Sequence, residues 1–253
     1  MYKLETHLHV AGTSPCAQTE EKLIAEIYKK EGYNGIVYTS HYNSFLCGYY
    51  GFKNFGGYND NFLRHFETLK KECSAFGIDV FFGMEFMPDE TSYYEPTPMN
   101  AEFLIFGATE EILKDGETLL KKGVKYTKDY CSERDFLFGQ AHPFRDMITY
   151  RRPEFLDCAE AINGNPRQQS HNDKARVYAE QNGLILTAGS DFHEPQDCLA
   201  GVYLESEVKT GRELVCELKK RRHTLFFNGL RKTNRRLKKK NKSTAEEEKQ
   251  ISG

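Results

Sequence analysis

The sequence predicts an α/β fold whose sheet is parallel and either open or closed into a barrel. Short apolar segments alternate with amphipathic or charged segments of helical character over most of the chain, which is typical of repeated strand–helix units. The length of 253 residues suits a single α/β barrel. A hydrophobic content of 39%, together with 13% aromatic residues, is enough to build a substantial core.

The predicted elements alternate in a regular order. Strands are predicted at residues 2–8, 35–39, 79–84, 102–107, 136–141, 158–163, 184–189 and 201–205. Helices are predicted at residues 19–31, 60–75, 109–122, 170–182 and 211–222. The segment "SFLCGYYGFKNFGGYND" (44–60) is crowded with glycine and aromatic residues and is predicted to be a long loop.

One domain is predicted over residues 1–229, followed by a tail over residues 230–253. The tail contains the basic run "RKTNRRLKKKNK" (231–242) and ends in the polar sequence "STAEEEKQISG". A segment of this composition cannot bury a core, so the tail is predicted to be disordered.

Charge and cysteine content restrict the class of protein. The 35 basic and 37 acidic residues nearly balance, which argues against a stable nucleic-acid complex or a membrane surface as partner. The seven cysteines are scattered and include no C-x-x-C pair, which favours reduced thiols in the cytoplasm. The chain opens without a signal peptide, and no apolar run reaches the roughly 18 residues that span a bilayer. A soluble, cytoplasmic protein is expected.

The histidines His7 and His9 stand one residue apart in "MYKLETHLHV". On an extended strand, residues two apart point to the same face, so both imidazoles could bind one metal ion. Two polar residues at this spacing also occur on strands for solvation alone. The pair by itself leaves both interpretations open.

Six further candidates fall at predicted strand ends, beside glycine-rich turns or at the head of a strand. They are His41, Glu85, Glu102, His142, Asp191 and His193. The carboxyl ends of parallel strands share one edge of a sheet or barrel, so these side chains are expected to meet His7 and His9 there. Imidazoles combined with carboxylates suit zinc, manganese or iron. More than four such ligands indicate two or more ions, with Glu85 able to bridge a pair.

The segments "THLH", "TSH", "GME", "AHP", "AING" and "GSDFH", in this order, resemble the PHP superfamily, named for polymerase and histidinol phosphatase. The resemblance runs from about residue 3 to residue 228. It implies a distorted (β/α)7 TIM-like barrel with two or three metal ions at the carboxyl ends of the strands. It assigns His7, His9, Glu85 and Asp191 to one ion. A second ion would share Glu85 and take His142, and a third would take His41 and His193.

The sequence departs from the family pattern in three places. The turn after the paired histidines, "VAGTSPCAQ", holds no acid, so only Ser14 or Cys16 could replace it; a small buried cysteine is the favoured interpretation of Cys16. Glu102 stands where the family usually has a histidine, which shifts metal preference toward manganese. "TSH" replaces a frequent Thr-Asp-His, which removes a possible partner of a ligand.

The resemblance implies a hydrolase for phosphoric esters, with a small phosphomonoester or nucleotide as substrate and a metal-activated hydroxide as nucleophile. The residues implied in the reaction are His7, His9, His41, Glu85, His142, Asp191 and His193. Arg145 and Arg167 are predicted to bind the phosphate. The alternatives are a 3′-5′ exonuclease that trims oligonucleotides, a histidinol-phosphate phosphatase, and a degenerate PHP module without activity.

Overall fold

The computed structural model describes residues 1–91, 101–148 and 152–229, within which ten strands form one sheet. The strands are β1 (Tyr2–Glu5), β2 (Gly35–Tyr38), β3 (His41–Tyr42), β4 (Asp79–Phe86), β5 (Phe103–Phe106), β6 (Leu137–Gln140), β7 (Cys158–Asn163), β8 (Ile185–Gly189), β9 (Leu199–Leu204) and β10 (Thr224–Asn228). The helices are α1 (Glu21–Lys30), α2 (Ser44–Tyr49), α3 (Phe55–Ser74), α4 (Gly116–Glu133), α5 (Asn172–Gln181) and α6 (Gly211–Lys219). The predicted tail, residues 230–253, lies outside the described residues.

The sheet curves into a nearly closed barrel. Its strand order is β10-β9-β1-β2-β4-β5-β6-β7-β8, and β3 pairs with β4. A parallel bridge between Leu8 and Phe192 joins the segment after β1 to the segment after β8. There the backbone N–H of His9 donates to the carbonyl of Phe192 at 3.0 Å, and that of Phe192 donates to His7 at 3.3 Å. The predicted α/β barrel is confirmed.

The sheet is mixed, so the prediction of a parallel sheet was wrong for two strands. Strand β5 is antiparallel to both β4 and β6, and β9 is antiparallel to β1 and β10. Parallel neighbours need a long crossover, usually a helix, whereas the described part of the β4–β5 connection holds only a short 3-10 helix at Asp89–Thr91. Because β5 is reversed, its first residue lies at the barrel end where the parallel strands finish.

Two buried clusters occupy opposite faces of the sheet. Phe81 belongs to one cluster, while Phe82 and Met84 of the same strand belong to the other. Since successive strand residues point to opposite faces, this alternation separates the barrel interior from its outer surface. Helix α6 contributes Leu214 and Leu218 to the inner cluster, and helices α1 and α3 pack on the outer one. The inner cluster fills one end of the barrel interior with apolar side chains, and polar side chains line the opposite end.

Most of residues 44–60 belong to helix α2 or to the start of α3, so the prediction of a long loop was wrong. Asn43 and Asn54 cap these helices, and each side-chain oxygen accepts a backbone N–H three residues later, at 2.9 and 3.1 Å. Glycine lowers helix propensity in this segment, but Tyr58 is buried to 1% exposure in the outer cluster. Tertiary burial therefore outweighs the local propensity.

The other helices differ from the prediction mainly at their ends. Helix α4 runs over Gly116–Glu133 rather than 109–122, and a 3-10 helix over Glu110–Lys114 precedes it. Gly123, inside α4, has a φ of 80° and interrupts the helical backbone. For this reason the sequence pattern does not show that the helix continues beyond residue 122. Within the described ranges, no helix has the length and apolar character needed to cross a bilayer.

Candidate metal centre

Eight predicted ligands meet at the barrel end where the parallel strands finish. Two of them follow β1, one is the first residue of β3, and one lies near the end of β4. One precedes β5, one follows β6, and two follow β8. All are buried except His41, whose side chain remains 16% exposed. The group, called the ligand cluster below, consists of His7, His9, His41, Glu85, Glu102, His142, Asp191 and His193.

The two carboxylate oxygens of Glu85 face different imidazoles. Oε1 lies 3.1 Å from His7 Nε2 and 3.0 Å from His142 Nε2. Oε2 lies 2.7 Å from His41 Nδ1 and 3.5 Å from His9 Nε2. A carboxylate that directs one oxygen to each of two nitrogen pairs has the geometry to bridge two cations.

Glu102 joins the side of the cluster formed by His41 and His142. Its Oε1 lies 3.3 Å from His41 Nδ1, and its Oε2 lies 3.5 Å from His142 Nε2. The reversed direction of β5 brings this carboxylate to the cluster from the head of a strand. His41 therefore lies between two groups. It faces Glu85 and Glu102, and it also lies near His193, with which the family resemblance pairs it.

Asp191 presents a single oxygen to the histidines. Its Oδ1 lies 3.1 Å from His9 Nε2 and 3.6 Å from His7 Nε2. Its Oδ2 accepts a hydrogen bond from Asn165 Nδ2 at 3.0 Å and a second from the Arg145 guanidinium. This arrangement leaves one oxygen for a cation and holds the other in place.

Two ligand-cluster residues adopt a backbone conformation that side-chain-bearing residues rarely use. The φ angles are 27° at His142 and 49° at Asp191. Such conformations cost on the order of 1–3 kcal/mol and are found preferentially at functional sites. The surrounding hydrogen bonds, including one from the His142 backbone N–H to Glu160 at 2.9 Å, maintain them.

Glu160, on β7, was not predicted from the sequence. Its Oε1 lies 2.9 Å from His7 Nδ1, and its Oε2 accepts hydrogen bonds from the His142 backbone and from Asn163 Nδ2, each at 2.9 Å. A carboxylate on Nδ1 sets the tautomer and orientation of His7 and leaves Nε2 for a cation. The sequence does carry a signal for Glu160, because it is an acid inside the apolar strand "CAEAIN". A carboxylate buried in such a strand needs hydrogen-bond partners.

We expect Glu160→Gln to weaken metal binding by about 10- to 100-fold, because the amide does not reproduce the carboxylate that orients His7. Metal titration by calorimetry measures the effect. Glu180→Gln, at an exposed position of α5, is the matched control and should bind as the unaltered protein does. Unchanged affinity in Glu160→Gln would contradict this role.

Glu5 is a second buried acid that was not predicted. Its carboxylate accepts hydrogen bonds from the backbone N–H groups of His7 and Ser190, at 2.8 and 2.9 Å, and from the Tyr28 hydroxyl at 2.8 Å. Burial raises the pKa of Glu5 to about 7, although these hydrogen bonds oppose the rise. Glu5 thus links the segment after β1 to the segment after β8.

The pKa values of the ligand-cluster residues are shifted strongly, and in different directions for neighbouring residues. Burial opposes the charged form of His7, but the carboxylates of Glu160 and Glu85 outweigh it and raise the pKa of His7 well above its usual value. Burial and the neighbouring His193 instead lower the pKa of His9. Burial alone would raise the pKa of Glu85, yet the charge of His7 holds it well below its usual range. Opposed shifts in one cluster are typical of catalytic and metal-binding sites.

The two arginines predicted to bind phosphate occupy different positions. Arg145 is buried at the cluster, where it bonds to Asp191 and, at 3.1 Å, to Asn163 Oδ1. Its Nε has no hydrogen-bond partner among the described residues. Arg167 lies outside the cluster, with a side chain 35% exposed, and pairs with Asp197 at 2.5 Å.

The donor atoms fit divalent metal ions. His7 Nε2 and His9 Nε2 are 3.1 Å apart, close to the ~3.4 Å between two ligands of a tetrahedral ion with bonds of about 2.1 Å. The buried Glu85 Oε2 forms no hydrogen bond of acceptable geometry within the described residues, although it lies 2.7 Å from His41 Nδ1. The close approach of this buried oxygen to an imidazole nitrogen without a hydrogen bond is compatible with both atoms serving as ligands of one ion.

Cys16 lies at the outer edge of the cluster, in the turn after the paired histidines. Cys16 is exposed, so the prediction that it is a small buried cysteine was wrong. Partial desolvation raises the pKa of the thiol, but hydrogen bonding to His193 and His41 outweighs this and lowers it to about 5. The sulfur also lies 3.1 Å from Ser14 Oγ.

Comparison with known proteins identifies similar structures. PsfC from Pseudomonas syringae has a TM-score of 0.61 and 15% sequence identity, over 90% of this chain and 91% of that chain. A two-domain protein from Bacteroides vulgatus, described as containing a predicted PHP-like metal-dependent phosphoesterase, has a TM-score of 0.62 and 16% identity. That match covers 90% of this chain and 65% of the other. No protein-family model matches the sequence, and no curated protein is similar to it.

The comparison establishes the fold. The chain shares its nearly closed α/β barrel with the protein described as containing a PHP-like domain, and its clustered histidines and acids are compatible with metal binding. The resemblance seen in the sequence motifs is therefore confirmed at the level of the PHP fold.

Proposed function

We propose that the protein is a metal-dependent phosphoesterase that hydrolyses a small phosphomonoester or a nucleotide at a centre of two or three divalent ions. The observation that carries the proposal is the geometry of Glu85, whose two oxygens face separate histidine pairs. The description of the Bacteroides vulgatus protein, which shares the fold, supports the same class of reaction.

The residues divide into two ligand sets that share Glu85. His7, His9 and Asp191 would hold one ion, and His41, Glu102 and His142 the other. Manganese, zinc or iron suits these donors. Bound ions of this kind supply a water of lowered pKa and positive charge for the phosphate oxygens.

The protein's own contribution to phosphate binding is assigned to the two arginines. Arg145 is held against Asp191, so its guanidinium is ordered before a substrate arrives and its unpartnered Nε can donate to a phosphate oxygen. Arg167, partly exposed beside the cluster, would supply a second contact from the solvent side.

Hydrolysis of a generic aryl phosphate by the manganese-loaded protein tests the proposal. We expect turnover that His9→Ala reduces by on the order of 10³-fold, since the variant lacks a ligand that faces both Glu85 and Asp191. His223→Ala, at the opposite end of the barrel beside β10, is the control and should retain activity. Tight metal binding without turnover would favour the degenerate module, and length-dependent cleavage of oligonucleotides would favour the exonuclease.

The exposed aromatic residues of α2 favour a substrate with a planar ring. Phe45 and Tyr49 are 37% and 56% exposed, and their ring centroids lie 5.7 Å apart. Helix α2 begins three residues after His41, and the pKa of the neighbouring Tyr50 is raised by burial and, in part, by the charge of Cys16. A nucleobase could stack on these rings at the edge of the cluster.

We expect Tyr49→Ala to raise the KM for a nucleoside monophosphate by about 10-fold through loss of base stacking. The KM for glycerol phosphate, which has no ring, should stay unchanged. Tyr126→Ala removes another exposed tyrosine, 45% exposed, from α4 and serves as the control. Equal effects of Tyr49→Ala on both substrates would contradict a stacking role.

We also propose a cytoplasmic location, because all seven cysteines are free and none is placed in a disulfide. The proposed partner is a small phosphorylated substrate rather than a stably bound nucleic acid. Titration of the thiols in protein extracted under alkylating conditions tests the reduced state, and oxidised cysteines would contradict it.

A further inference from the structure

We propose that Asn163, at the end of β7, is a positioning residue that holds the guanidinium of Arg145 in a fixed direction beside the ligand cluster. One buried amide would then position both the phosphate-binding arginine and two acids of the metal centre. This inference rests on the proposed role of Arg145 in binding phosphate, but it does not depend on hydrolytic turnover.

The side chain of Asn163 is buried between three charged groups. It is 3% exposed, and its Nδ2 donates to Glu160 Oε2 at 2.9 Å and to Asp191 Oδ2 at 3.3 Å. Its Oδ1 accepts a hydrogen bond from Arg145 Nη2 at 3.1 Å. Among the described residues, no other side chain is hydrogen-bonded to all three of these groups. Asn163 therefore connects the acid that orients His7, the Asp191 carboxylate and the arginine.

The neighbours of Asn163 fix the orientation of its amide. Oδ1 also accepts hydrogen bonds from the Asn165 backbone N–H and from the Ser170 hydroxyl, each at 3.1 Å. Three donors thus face the oxygen, whereas two carboxylates face the nitrogen. A rotation of the amide by half a turn would set its N–H groups against the guanidinium and its oxygen against the carboxylates.

The backbone carries the amide to this position. The pairing of β7 with β8 shifts register between Glu160 and Ile162. On a regular strand, residues three apart face opposite sides, so this irregularity allows Asn163 to reach the Glu160 carboxylate. The side chain of Asn172, at the start of α5, bonds to both the N–H and the carbonyl of Asn163, each at 3.0 Å.

These contacts leave part of Arg145 available for a ligand. Nη2 donates to both Asn163 and Asp191, whereas the buried Nε has no hydrogen-bond partner among the described residues. A guanidinium held by two acceptors loses little further freedom when a phosphate binds to it. Without the Asn163 oxygen, Asp191 would be the only partner of Nη2 within the described ranges, and the direction of the guanidinium would be less well defined.

Binding of inorganic phosphate to the manganese-saturated full chain, measured by calorimetry, tests the inference. Arg145→Ala should weaken phosphate binding by on the order of 10- to 100-fold. In an Asn163→Ala background, where the guanidinium is no longer held in place, the same substitution should cost at least about 3-fold less.

Two matched comparisons accompany this cycle. The guanidinium of Arg167 pairs with Asp197 and Glu194 rather than with Asn163, so Arg167→Ala should have the same effect in both backgrounds. Asn182→Ala removes an exposed amide just after α5 and should leave the affinities for phosphate and for metal unchanged.

Asn163→Asp separates positioning from a general structural role. It keeps an oxygen toward Arg145 but replaces the donor that faces Glu160 and Asp191, so metal binding should weaken by about 10- to 100-fold. At saturating manganese, however, Arg145→Ala should again cost as much as it does in the unaltered protein. A merely structural role predicts no such recovery. This variant also decides the matter if Asn163→Ala does not fold.

Equal effects of Arg145→Ala with and without the Asn163 amide would overturn the inference, as would loss of that effect in Asn163→Asp. Unaltered protein that binds phosphate no better than Arg145→Ala would overturn it too. Aryl phosphate hydrolysis by the unaltered protein separates the two proposals. Turnover with independent effects would leave the phosphoesterase function standing and refute the positioning role, whereas coupled effects without turnover would support the positioning role and refute hydrolysis.

Discussion

Glu85→Gln is expected to lower the rate of phosphate-ester hydrolysis by on the order of 10³-fold and to release at least one metal ion. The amide keeps the size of the side chain and one of its oxygens, but it loses the negative charge. The two oxygens of Glu85 lie between 2.7 and 3.5 Å from four histidine nitrogens, so no other carboxylate of the cluster faces so many candidate ligands. The loss should therefore affect both proposed ions together.

The measurement for Glu85→Gln combines steady-state kinetics with elemental analysis of the purified protein. Glu133→Gln, whose side chain is 74% exposed near the end of α4, is the matched control and should bind metal and turn over normally. Retention of both metal content and activity in Glu85→Gln would refute a bridging role. Loss of activity with full metal content would assign Glu85 to the reaction rather than to metal binding.

Gly189→Ala is expected to destabilise the protein by about 1–3 kcal/mol and to impair metal binding, although residue 189 is not a ligand. A Cβ at this position would lie 2.3 Å from His7 Cβ, 2.9 Å from His7 N and 2.9 Å from Glu160 Oε1. His7 Cβ and His7 N cannot rotate away from the added methyl group. Either the end of β8, which carries residue 189, or the segment after β1, which carries His7, must therefore move. A shift of about 1 Å in a ligand can reduce activity by about 100-fold.

Thermal unfolding and metal titration measure the two consequences of Gly189→Ala. The melting temperature should fall by about 2–12 °C, given about 2–4 °C per kcal/mol for a protein of this size. Gly48→Ala is the control, because a Cβ there meets no atom within 4 Å and residue 48 lies inside α2. It should be neutral or stabilising by up to about 1 kcal/mol. Unchanged stability and affinity in Gly189→Ala would show that the segment after β1 can shift freely.

The ligand cluster was predictable because its residues follow local rules. His7 and His9 stand at strand spacing, and Glu85, His142 and Asp191 end apolar strands beside glycine. Any α/β barrel brings such strand ends together, so their convergence follows once the alternation of strands and helices is recognised. Glu160 and Glu5 escaped prediction because each has a partner far along the chain: 153 residues separate Glu160 from His7, and 185 separate Glu5 from Ser190. Only the closed barrel shows that these buried carboxylates touch His7.

The sequence by itself determined the class of fold, the barrel end at which polar residues gather, and the donor types that suit divalent metals. These depend on periodicity and residue chemistry, which are local properties. Tertiary structure decided the reversed direction of β5, the two helices formed within residues 44–60, and the exposure of Cys16. Each of these depends on packing between segments far apart in the chain, where burial and long-range hydrogen bonds outweigh local propensity.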